Sequence, residues 1–124
     1  MSELSDYLEQ KRSELHVGDY VDANGERLSC WKVAATIARA LKAEGKTPVV
    51  YEISDTLAGR TYPLYPVMYE GRVGFAGHVV CSAEGLAYDP LLEQPELLET
   101  YSLVVFGRSL ELREVPEDVW QTIR

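Results

Sequence analysis

The sequence predicts an α+β domain, with helices packed on an antiparallel sheet. Three observations lead there. The strongest helical periodicity lies before Gly45, whereas from Pro48 onward short runs rich in Val, Tyr, Phe and Ile dominate. Glycine- and proline-containing breaks separate those runs, which favours hairpins. The 124 residues suffice for one hydrophobic core and are too few for two, so 1–124 reads as a single domain.

The elements follow in order. Glu3 to Leu15 reads as a first helix, because Leu4, Leu8 and Leu15 share a face flanked by Tyr7 and Lys11. Gly18 to Arg27 carries Gly, Asp and Asn and reads as loop. Cys30 to Glu44 is the clearest helix: Val33, Ile37, Ala40 and Leu41 repeat at helical spacing, and alanines fill the remainder. Ser29 stands where an N-cap belongs and Gly45 where a helix stops. Pro48–Ile53 is a strand by its β-branched and aromatic content. Ser54 to Pro66 reads as an irregular excursion, with Tyr62 and Tyr65 among its prolines. Val67–Tyr69 and Arg72–Phe75 form one expected hairpin around Glu70-Gly71. His78–Cys81 and Leu86–Asp89 form a second, around Ser82-Ala83-Glu84-Gly85. Pro95 to Thr100 is expected as a short helix, Leu103–Phe106 and Leu110–Arg113 as closing strands, and Pro116 to Trp120 as a last helical turn.

Composition excludes several classes. A formal net charge of −8 would be repelled by a nucleic-acid backbone, so no nucleic-acid role is expected. No apolar run approaches the roughly 18 residues of a membrane span. The opening MSELSDYLEQKRSELH has no apolar signal core, and two cysteines do not make a disulfide framework, so a reducing, cytoplasmic setting is expected. Cys30, His78, Cys81 and Asp89 are all metal-capable types. Yet no Cys-x-x-Cys or His-x-x-x-His spacing occurs, and strand alternation sends Cys81 away from His78 toward a core; no metal is expected.

Cys30 opens its helix, where the helix field favours a thiolate. A nucleophilic thiol needs a base, a group that orients the base, and donors for the developing oxyanion. His78 begins one strand of the second hairpin and Asp89 ends the other. If Ala83-Glu84 is the two-residue loop, His78 lies directly opposite Asp89 on the same face. A one-residue slip would send Asp89 to the other face, and a three-residue loop with a bulge at Gly85 competes. Each residue also has a plainer role: Cys30 as a core cysteine, His78 as a structural histidine, Asp89 before Pro90 as a turn residue.

Cysteine at a helix start in Ser29-Cys30-Trp31-Lys32-Val33-Ala34-Ala35, then Gly77-His78-Val79-Val80, then Gly85-Leu86-Ala87-Tyr88-Asp89-Pro90: in this order the chain resembles the papain-like superfamily of cysteine peptidases and transglutaminase-like proteins. The likeness spans roughly residues 24 to 90 and is nearest to small bacterial members, including toxin and effector domains. It implies a papain-like core, a central helix packed on a twisted antiparallel sheet. It also implies Cys30 as nucleophile, His78 as base and later acid, and Asp89 as the residue that orients the ring. Papain-like peptidases carry an oxyanion glutamine six residues before the cysteine; here Asn24 stands in that place. Of their Cys-Gly-Ser-Cys-Trp signature only Cys30-Trp31 is present. Trp31 and Gly77, beside the thiol and the imidazole in sequence, are the candidate substrate contacts. The implied function is thiol-dependent acyl transfer on an amide of a protein or peptide: hydrolysis, deamidation or transamidation, with no metal or organic cofactor. The alternative is a non-catalytic module of the same shape that holds a protein partner.

Overall fold

Five strands form one antiparallel sheet, in the order Glu96–Leu97, Leu86–Tyr88, His78–Ala83, Pro48–Ile53 and Leu112–Val115, and helices cover both of its faces. The structure is a computed structural model describing residues 3–13, 20–21, 27–28, 30–57, 60–62, 64, 66–67 and 77–123. The element order is α1 (Glu3–Ser13), β1 (Tyr20–Val21), β2 (Arg27–Leu28), α2 (Cys30–Ala43), β3 (Pro48–Ile53), β4 (Asp55–Leu57), β5 (Arg60–Tyr62), β6 (His78–Ala83), β7 (Leu86–Tyr88), β8 (Glu96–Leu97), α3 (Leu98–Phe106), β9 (Leu112–Val115) and α4 (Glu117–Trp120).

Helix α2 forms where its pattern predicts, because Val33, Ala34, Ile37, Ala38 and Leu41 make one apolar stripe that the sheet buries. It ends at Gly45, whose φ of +86° is the left-handed turn that glycine adopts without penalty. Lys46 N–H donates to Leu41 O and Gly45 N–H to Lys42 O, both at 3.0 Å, the paired bonds of a Schellman stop. Leu4 and Leu8 of α1 bury against the same stripe. The helix pattern beyond Ser13 and the cap at Ser29 lie outside the described residues.

Strand β3 occupies the predicted Pro48–Ile53 and lies inside the sheet, between β6 and β9. Alternation along β3 and β6 divides the core in two. Val50, Val79, Cys81 and Ala83 face α1 and α2, while Ile53, Val80 and Ala87 pack with Tyr101, Val105 and Phe106 of α3. At about 25 cal/mol per Å² of apolar area removed from water, these two layers supply the main driving force of the fold.

Several expectations are corrected. Within 18–27, read as loop, Tyr20–Val21 pairs with Arg27–Leu28. Within 54–66, read as irregular, Asp55–Leu57 pairs with Arg60–Tyr62. Pro95–Thr100 is not one short helix: Glu96 and Leu97 add an edge strand beside β7 before α3 begins. Leu103–Phe106 is helix, not strand, because burial of Tyr101, Ser102, Val105 and Phe106 on one helical stripe outweighs the β-branched valines. With the chain helical to Phe106 and turned at Gly107 (φ +77°), the closing strand starts at Leu112 in place of Leu110. The last helical turn forms as expected and buries Trp120. The hairpin expected over 67–75 falls almost wholly outside the described residues, as does Tyr65.

Candidate active site

The β6–β7 hairpin turns at Glu84-Gly85, with φ of +53° and +81° at the two positions. Two consecutive left-handed residues match the twist of the strands they join, and glycine at the second makes this the favoured place to turn. The register is therefore Cys81↔Tyr88 and Ala83↔Leu86, two residues away from the expected one with its Ala83-Glu84 loop. His78 is thus not directly opposite Asp89. A slip of two keeps parity, however, so both still point to the α3 face of the sheet. Asp89 is the diagonal neighbour, within reach for a carboxylate and an imidazole.

The two side chains meet there. His78 Nε2 lies 2.6 Å from Asp89 Oδ2, and the residues are 1% and 3% exposed. Asp89 is held in turn. Its Oδ1 accepts the Leu91 backbone N–H at 3.0 Å, and its Oδ2 also accepts the Tyr101 hydroxyl from α3. The segment after Asp89 is tied to α1, where the Arg12 guanidinium donates to the carbonyls of Pro90 and Leu92. Phe106 meets the His78 ring edge-on at 5.8 Å between centroids, walling the imidazole on the α3 side.

Cys30 approaches from the other layer. It is the first residue of α2, half-buried at the margin of the α2-side core. His78 is the first residue of β6, so helix start and strand start meet, and the thiol is close enough to act electrostatically on the imidazole. Burial alone would push the imidazolium pKa down. The charge and hydrogen bond of Asp89, then those of Cys30, outweigh burial and raise it to about 10. The ring thus sits between a carboxylate and a sulfur.

The remaining candidates are distributed as follows. Asn24 lies outside the described residues. The Cys30 backbone N–H, at the opening of α2, is among the helix donors without an intrahelical acceptor and is suited to an oxyanion. Trp31 packs against the α2-side core and lines a shallow hollow with Glu52, Arg113 and Val119. Gly77 immediately precedes the imidazole and is half-buried. Cys81 points away from His78 into the α2-side core, fully buried, and burial pushes its thiol up to about 12. Both cysteines are free thiols.

Tyr101, Phe106 and Arg12 are site residues that the sequence pattern does not single out. For the first two, reading 98–106 as one continuous helix would have put them on the stripe facing the sheet. Among the described residues no helix is long and apolar enough to cross a membrane. No family model, curated protein or solved structure matches this chain.

Proposed function

We propose that this chain is a cysteine-dependent acyl-transfer enzyme acting on an amide of a protein or peptide, with a papain-like or transglutaminase-like arrangement of its core. The observation that carries the reading is the buried 2.6 Å contact between His78 and Asp89, with the Cys30 thiol near enough to act on the same ring. In this reading the Cys30 thiol gives its proton to His78 and the sulfur adds to the amide carbonyl carbon. The oxygen takes the negative charge, facing the Cys30 N–H. As the intermediate collapses, the C–N bond breaks, His78 returns the proton to the departing nitrogen, and a thioester remains. Water then gives hydrolysis or deamidation; an amine gives transamidation. Asp89 keeps the imidazole oriented and balances its charge throughout.

Two measurements test this. Site-resolved alkylation by iodoacetamide at pH 6.5 is expected to label Cys30 at least tenfold faster in the wild type than in His78→Asn. Equal rates would remove the activated nucleophile and leave a protein-binding module. With unfolded casein as a generic substrate, new amino termini, released ammonia and incorporation of a fluorescent amine separate the three reactions. Cys30→Ala abolishes whichever is present, and full turnover in that variant would refute the assignment.

A further inference from the structure

We infer that Tyr101 is a positioning residue for this chemistry, acting on His78 through Asp89 by donating its hydroxyl to the carboxylate oxygen that the imidazole also uses. The inference rests on the acyl-transfer reading but adds a residue from an element that supplies none of the three reacting side chains. Tyr101 is fully buried in α3, and its ring packs edge-on against Phe106 at 6.3 Å, so the hydroxyl has one defined direction. That direction ends on Asp89 Oδ2.

A carboxylate that is 3% exposed has little water to stabilise it and depends on protein donors for both its charge and its aim. Leu91 N–H holds Oδ1, the oxygen that does not face the imidazole. The Tyr101 hydroxyl donates to Oδ2, the oxygen the imidazole also uses, and so helps set where the imidazole N–H must point. Among the described residues, His78 is approached by Asp89 at the end of the β6–β7 hairpin, by Cys30 of α2 and by Phe106 of α3, with Tyr101 of α3 behind Asp89. Without the hydroxyl, the carboxylate loses a donor and a constraint together. The imidazolium loses its aligned partner, and Cys30 loses the oriented ring that activates it.

The probe is iodoacetamide on the full chain, with labelling at Cys30 and Cys81 resolved by peptide mass spectrometry. Tyr101→Phe is expected to slow Cys30 alkylation about tenfold at pH 6.5, the size of one charge-assisted hydrogen bond, and by less than twofold at pH 9.5, where a free thiol ionises unaided. In an Asp89→Ala background the same substitution is expected to change nothing further. Site-specific 4-aminophenylalanine at position 101 restores a donor and the rate; 4-methylphenylalanine fills the volume without donating and does not. These two also serve if Tyr101→Phe fails to fold. Several results would overturn the inference: wild-type alkylation in Tyr101→Phe, an equal slowing at both pH values, a slowing that persists without Asp89, or equal rates in the amino and methyl variants. If His78→Asn is slow while Tyr101→Phe matches wild type, only the role of Tyr101 falls. If His78→Asn itself matches wild type, the acyl-transfer reading falls with it.

Discussion

Replacing Asp89 by alanine probes the centre of this molecule most directly. His78 is 1% exposed, so at pH 7 its imidazolium would sit in the core without a counter-charge. Breaking a buried ion pair by deleting one partner costs about 3–5 kcal/mol. The substitution also strands the Leu91 N–H and the Tyr101 hydroxyl, so about 4 kcal/mol is the expected loss. For a chain of this length that corresponds to about 15 °C in Tm. The assay is urea unfolding followed by fluorescence of Trp31 and Trp120. The cost is also pH-dependent. The folded-state pKa of His78 is raised above its unfolded value of 6.5, to about 10. Between those values the folded protein holds a proton that the unfolded chain releases. This stabilisation is therefore complete below about pH 6.5 and lost as pH rises through 10. Its slope reaches at most about 1.4 kcal/mol per pH unit. Asp89→Ala should lack that slope, so the gap between variant and wild type narrows as pH approaches and passes 10. A loss under about 1 kcal/mol at pH 7, or an equal loss at pH 7 and above pH 10, would refute the pairing.

Other expectations concern the scaffold. Ile37→Ala removes a side chain 1% exposed from the α2 stripe and should cost about 3 kcal/mol in the same urea assay, with secondary structure retained at low denaturant. Glu84 is a non-glycine residue at φ +53° in the β6–β7 turn, so Glu84→Asn should raise stability by about 0.5–1 kcal/mol; a loss would argue against this turn. Cys81, fully buried with its thiol pushed up to about 12, should label only as fast as the protein unfolds, and labelling at the rate of a free thiol in the native state would contradict its place in the core.

The legible parts of the site were those set by short-range patterns. Cys30 as the first residue of α2 follows from the Val33, Ile37, Leu41 repeat that begins just after it and the glycine that ends it. That His78 and Asp89 share a face follows from strand period once the parity of the turn is fixed, and the sequence left that parity open between a two-residue and a bulged loop. The inferred turn was misplaced by one residue at each side, but the resulting slip of two left every side chain on its expected face, where a slip of one would have reversed them. The illegible part was 95–113. Val104, Val105 and Phe106 satisfy a strand pattern as well as a helical one, and within so short an apolar run periodicity does not choose between them.

What the sequence by itself determined, then, is local: a thiol at a helix opening, an imidazole and a carboxylate on the two arms of one hairpin, and a glycine that stops α2. These depend on φ preferences and on residue spacing within one element, which neighbours along the chain are enough to set. The tertiary structure alone decided that β3 lies between β6 and β9, that α2 opens beside the start of β6, and that 98–106 is a helix bringing Tyr101 to Asp89. Such contacts join residues far apart in the chain. They are chosen by which arrangement buries the most apolar surface while leaving buried charges partnered, and only the assembled sheet and its two helical layers can weigh those terms together.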